Sequence, residues 1–238
     1  MLKNRTCVAV VFCVAVLSAG LFSAAGAAAG DFNLGVRGSV GFGTGSTDDK
    51  TVDGTIGLSA GGGLSMQYYF IEKGKWNFGL DSGLEYLFLK YSSTLPLTLP
   101  GPTFVDLEST TSYNYLTIPL TFKVLYGLNE RLAITGDVGG FLGVFLGGES
   151  DNAYSFEIPP DLVNGVEKLD DSNTEPINAG LRFATGLEIA LSDKLKLIPG
   201  FIYDLGLKDI TKDTPPIHPS QDTLSSWTFT FDLLYELF

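Results

Sequence analysis

"WTFTFDLLYELF", residues 227–238, puts Trp227, Phe229, Phe231, Leu233, Tyr235 and Leu237 on one face and Thr228, Thr230, Asp232 and Glu236 on the other. A period of two is the mark of a strand with one apolar side. Left without a partner, a strand this apolar invites edge-to-edge aggregation. The question it raises is where its partner lies.

Seven earlier segments alternate in the same way. In residues 31–42, Phe32, Leu34, Val36, Val40 and Phe42 oppose Asn33, Arg37 and Ser39. Segments 58–70, 76–90, 113–126, 132–147, 177–190 and 195–208 repeat the pattern, as in Leu116, Ile118, Leu120, Phe122 and Val124. Each is long enough to cross a bilayer when tilted. The apolar sets contain no Asp, Glu, Lys or Arg. Within the segments the charges fall opposite them, as Asp81, Glu85, Arg182, Glu188, Asp204, Asp232 and Glu236 do; Lys90, at the very end of its segment, is in phase with the apolar side. A lipocalin-like soluble barrel would reverse this, with charges outside and apolar residues within.

The first residues give the context. Lys3 and Arg5 precede an apolar stretch that ends on Ala27, Ala28 and Ala29. This is the layout of a cleavable secretory signal peptide over 1–29, leaving 30–238 as one barrel domain. Cys7 and Cys13 both lie in that leader, so the mature chain has no thiol for disulfides or metal binding. Beyond the leader no apolar run reaches eighteen residues, so a membrane form must be a barrel. Without Lys3 and Arg5 the chain has 13 basic and 27 acidic residues, a net charge of −14. Such acidity excludes a nucleic-acid partner, which needs a basic footprint.

The connections alternate in length. Residues 72–75, 127–131 and 191–194 form tight turns, whereas 44–56, 92–112, 149–176 and 209–225 are long. The long segments hold 16 acids against Lys50, Lys168 and Lys212, which is −13 of the total. Short turns at one end and long loops at the other are the outer-membrane pattern, with turns and both termini periplasmic and the loops outside. The expected fold is all-β: an eight-stranded antiparallel transmembrane barrel, monomeric, in outer-membrane lipid. The last strand then pairs with the first and closes the ring.

The chain resembles the small eight-stranded outer-membrane barrels, the group containing the OmpA membrane domain, OmpX and the PorT-like proteins. "YLTIPLTFKVLY" (115–126) and "IPGFIYDLGLKDI" (198–210) look most like PorT-type strands. The terminal Phe238 is similar to the recognition signal read by the barrel-assembly machinery, which implies that machinery as a partner of the C-terminal strand. The usual second aromatic two residues earlier is replaced by Glu236, with Tyr235 one place before it. The resemblance implies architecture; the group includes adhesins, pores and enzymes.

The candidate site is the lumen: Arg37, Lys123, Arg182 and Lys196 among Asp81, Glu85, Asp137, Glu188, Asp204, Asp232 and Glu236. Two readings stand. Eight strands leave an interior that side chains fill, and buried charges persist when paired, so the network plugs the barrel. Alternatively it lines a narrow channel with a weak cation preference. No catalytic residue, cofactor or metal ligand is expected. His218, near Ser220, Ser225 and Ser226, reads as a solvated loop residue, and "DDSNTE" (170–175) lacks the glycine and spacing of an EF-hand loop. Glycines 61–63, 139 and 140 make room for larger neighbours. Phe42, Phe88, Tyr113, Phe145 and Trp227 are expected in one interfacial aromatic girdle, and Phe32, Phe70, Trp76, Tyr126 and Tyr235 in the other. Pro119 and Pro199 each predict a bulge. The expected function is non-catalytic surface interaction through the acidic loops 92–112 and 149–176.

Overall fold

A computed structural model describes residues 30–47, 53–54, 56–98, 104–154, 165–169, 174–210 and 222–237. Residues 1–29, where a signal peptide is expected, and His218 and Phe238 lie outside the described residues. Among these described residues ten strands follow in order: β1 (Phe32–Thr47), β2 (Asp53–Gly54), β3 (Gly57–Lys73), β4 (Trp76–Thr98) and β5 (Phe104–Gly127). Then come β6 (Leu132–Tyr154), β7 (Gly165–Leu169), β8 (Ile177–Ala190), β9 (Leu195–Gly206) and β10 (Asp222–Glu236). Eight of them close an antiparallel ring, β1-β3-β4-β5-β6-β8-β9-β10, while β2 and β7 are short additions to β4 and β6. The partner of β10 is β1, with Phe42 opposite Trp227 and Leu34 opposite Tyr235.

The register fixes the shape. From Phe42 the ladder partners run Trp227, Tyr203, Phe183, Val138, Phe122, Leu80, Tyr68 and back to β1 at Phe32, ten residues away. A stagger of that size tilts the strands by roughly 35–45° and leaves an interior about one layer of side chains wide. The alternation becomes two faces: Phe229 and Phe231 are 57% and 58% exposed, while Asp232 between Phe231 and Leu233 is 4% exposed.

Three short turns cap one end. Lys73 pairs with Trp76 across Gly74, whose φ of 64° suits glycine at the first corner of a two-residue hairpin. The other two share a Leu–polar–acid–base–Leu pattern and a geometry: "LNERL" (128–132) and "LSDKL" (191–195). In each, the first Leu N–H donates 2.8 Å to the last Leu carbonyl. The Asn129 side chain accepts from Arg131 and Leu132 N–H, as Ser192 Oγ does from Lys194 and Leu195.

Four expectations need correction. Much of 92–112 and 149–154 is strand, because β4, β5 and β6 run on as paired hairpins to Thr98, Phe104 and Tyr154. Apolar alternation fades there, yet the ladder hydrogen bonds continue without it. Ser225 and Ser226 likewise belong to β10 rather than to a loop.

Neither proline bulges. Pro119 opposes Phe141 and Pro199 opposes Phe231 with the register unbroken, and the ladders to β4 and β8 lapse opposite each proline. Losing one N–H costs a ladder bond but no extra residue. Around Pro119, Ser82 Oγ donates 2.7 Å to its carbonyl.

The real bulges lie elsewhere, at Tyr69/Ile71 and beside Asn114/Tyr115. The second leaves Leu146 without a ladder partner and puts Gly147 at φ 146°. Finally, Gly62 and Gly140 are on the outer face, so they make no room in the lumen.

Candidate functional site

Side-chain alternation brings inward-facing residues of all eight strands together. Three basic residues meet an acid directly opposite on the next strand: Arg37 and Asp232, Lys123 and Asp137, Arg182 and Asp204. Arg37 donates from Nε and Nη2 to the two Asp232 oxygens, each at 2.7 Å. Arg182 repeats the fork on Asp204 at 2.7 and 2.8 Å. Both forks are bidentate, the geometry a guanidinium matches best.

Glu85 then joins the two halves. It accepts from Arg37 Nη1 at 2.7 Å and from Arg182 Nη1 at 2.9 Å. Arg37 reaches it over Gly63, which sits between them in the ladder; a Cβ there would lie 2.0 Å from the Leu84 carbonyl. Asp81 links the rest, lying 3.3 Å from Arg37 and 3.6 Å from Lys123, while Lys123 holds Asp137 at 3.1 Å. Three bases and five acids thus form one connected, buried cluster. Lys196 stands apart towards the turns, 2.9 Å from Glu236 and 3.9 Å from Glu188. The eleven lumen charges named from sequence therefore separate into a group of eight and a group of three.

Neutral partners not foreseen from sequence complete the network. Gln67 Nε2 donates to Asp81 at 2.8 Å, Arg37 Nη2 to Ser65 at 3.4 Å, and Tyr69 Oη to Gln67 at 3.3 Å. Their signal was available, since Ser65 and Gln67 share the polar face of β3.

Apolar layers lie on both sides of the charges. Towards the turns, Tyr69, Leu125 and Ala133 pack together, and Leu234 is fully buried. Towards the long connections, Leu89, Tyr113, Tyr115, Phe145, Ile210 and Leu224 form a cap, with Leu87, Tyr91 and Leu169 against it. Tyr113 and Phe145 are thus inside the barrel, 6% exposed each, and not in an outer girdle. The reason is the strand face: Tyr113 lies in line with Lys123, and Phe145 with Asp137, on the inward sides of β5 and β6. A sequence signal existed in "LEYLFLKY" (84–91), where the inward side of β4 changes from Glu85 to Leu87, Leu89 and Tyr91. Ile210 gave none, because it follows the end of β9.

Of the loop candidates, Glu175 pairs with Lys208 at 3.3 Å, half-exposed. Thr174 of the same "DDSNTE" stretch is buried, and residues 170–173 lie outside the described residues.

The model of the outer membrane protein beta-barrel domain matches residues 14–235. No curated protein matches the sequence. Among solved structures, the chain is similar to the attachment invasion locus protein Ail of Yersinia pestis (10% identity, 87% of this chain and 97% of that one, TM-score 0.35). It is also similar to neisserial surface protein A (11%, 87% and 97%, TM-score 0.42). A third is OprG of Pseudomonas aeruginosa (12%, 88% and 97%, TM-score 0.42). The chain belongs to the outer membrane protein beta-barrel family and resides in the bacterial outer membrane.

Proposed function

We propose that this protein is a non-catalytic, closed barrel that carries its acidic connections as an interaction surface facing outward from the cell. The observation that carries the reading is the Arg37–Glu85–Arg182 bridge across the lumen, with an apolar layer on either side of it. Buried charges that are paired this closely have no hydration to lend a passing ion. A channel reading has no comparable support.

The acidic end has its own frame. Above the ring, β4 to β6 continue as hairpins, with Glu108, Glu149 and Asp151 exposed on them. Binding usually resides where connections stand on such a rigid support. A cation-rich or basic partner suits that surface, and the barrel-assembly machinery would meet the C-terminal strand during insertion.

Planar-bilayer recording tests the closed barrel. Purified protein gives little or no steady conductance, and steady cation-selective openings would overturn the reading. Removing residues 155–164, between β6 and β7, tests the surface role: the barrel still folds and partner capture from the cell exterior is lost. Capture unchanged by that deletion would move the role away from this connection.

A further inference from the structure

The cap differs from the rest of the lumen in how it is built. Leu89, Tyr113, Tyr115, Phe145 and Leu224 come from the barrel wall, and the Tyr115 and Phe145 rings lie 5.6 Å apart. Ile210, fully buried among them, comes from the segment after β9 and belongs to no strand. It is tethered by the Glu175 N–H donating 2.8 Å to its carbonyl and by the half-exposed Lys208–Glu175 pair beside it. Withdrawing Ile210 therefore breaks no barrel ladder.

Among the described residues around this cluster, four buried polar atoms have no hydrogen-bond partner: Ser59 Oγ, Tyr115 Oη, Asn178 Oδ1 and Ser226 Oγ. Their residues are at most 4% exposed. Ser59 is the ladder partner of Leu89, and a Cβ on Gly43, the partner of Ser226, would lie 2.8 Å from Leu89. Across the lumen, a Cβ on Gly143 would lie 3.4 Å from the Tyr115 ring and 3.7 Å from Asn178. Native buried polar atoms are rarely left unpaired, and a set of four around one apolar cluster asks for an occupant.

Charge selects its class. The layer beneath holds five acids and three bases, and Arg37 and Arg182 direct Nε and both Nη atoms at oxygens, so an anion meets no free cation. Aromatic faces attract cations, and the orphan Asn178 oxygen can only accept. The long connections at the same end, net −13, raise the local cation concentration.

We propose that the cap is a binding chamber for a small organic ammonium. Its cationic nitrogen donates to the orphan oxygens beside the Tyr115 and Phe145 rings, and a short alkyl group takes the place of the Ile210 side chain. A four-carbon chain matches that side chain in size. The site is internal and does not depend on a surface role for the connections.

The test is an isosteric series. Isotope-labelled protein in lipid nanodiscs is titrated with n-butylammonium, n-butanol and butyrate while the resonances of Tyr113, Tyr115, Phe145 and Ile210 are followed. Butylammonium gives saturable shifts at these residues, at least tenfold tighter than butanol, and butyrate gives none. Ile210→Ala binds butylammonium more tightly because the competitor is gone, and Ile210→Trp abolishes binding; heat-modifiable gel mobility verifies that each variant is folded. Equal binding of butanol and butylammonium would reduce the site to an apolar pocket and overturn the proposal. So would the absence of any saturable shift in wild type, which leaves the orphan atoms to buried water.

Discussion

Arg37 on β1 and Arg182 on β8 share one carboxylate, Glu85 on β4, and each also grips the acid opposite it on a neighbouring strand. Two arginines brought this close would repel without the acid between them. The bridge is a lock across the lumen that depends on a single residue.

Glu85→Gln keeps the shape and removes the charge between the two guanidinium groups. The expected loss is about 3–5 kcal/mol of stability, the usual result of stranding a buried charge. Urea titration in lipid vesicles, read by gel mobility of folded and unfolded forms, measures it. A change below about 1 kcal/mol would mean the bridge is hydrated.

Closure is expected to be redundant. Arg37→Met disrupts the network but leaves the cap, so no steady conductance appears. Tyr115→Ala with Leu89→Ala opens the cap but leaves the network, with the same result. Only the triple variant should conduct in planar bilayers. Conductance from the arginine change alone would show that the cap does not seal.

The cap is packed like a protein core. Phe145→Ala should cost about 3–5 kcal/mol through lost contacts and the cavity left behind. The outer face behaves differently: Val40→Arg or Phe229→Arg places a charge against lipid and costs about 2–4 kcal/mol near the midplane. Both are read from the same unfolding curves. A neutral Phe229→Arg would contradict the assignment of that face to lipid.

Two glycines make a matched pair. Gly74→Ala must hold a φ of 64° and should lose about 1–2 kcal/mol. Gly38→Ala meets nothing within 4 Å, and restricting the unfolded chain should raise stability by about 0.4–1 kcal/mol. Equilibrium unfolding of the two single variants gives opposite signs.

Period-two alternation decided which face each strand turns to lipid, because it needs only the local pleat. Trp227 to Leu237 on one side and Asp232 on the other could be read directly, and so could the turns at "LNERL" and "LSDKL". The same alternation placed the eleven charges inside but could not pair them. That Glu85 meets both Arg37 and Arg182 depends on the ten-residue stagger around the ring, which sets side chains from β1, β4 and β8 at one level. The cap was hidden for a related reason. Leu87, Leu89, Tyr113 and Phe145 are apolar on an inward face that polar residues fill lower down. Alternation puts them on the side away from lipid, and only closure of the sheet shows that they meet one another. Ile210 has no strand register at all, and its place at the centre of the cap follows from where the end of β9 delivers it.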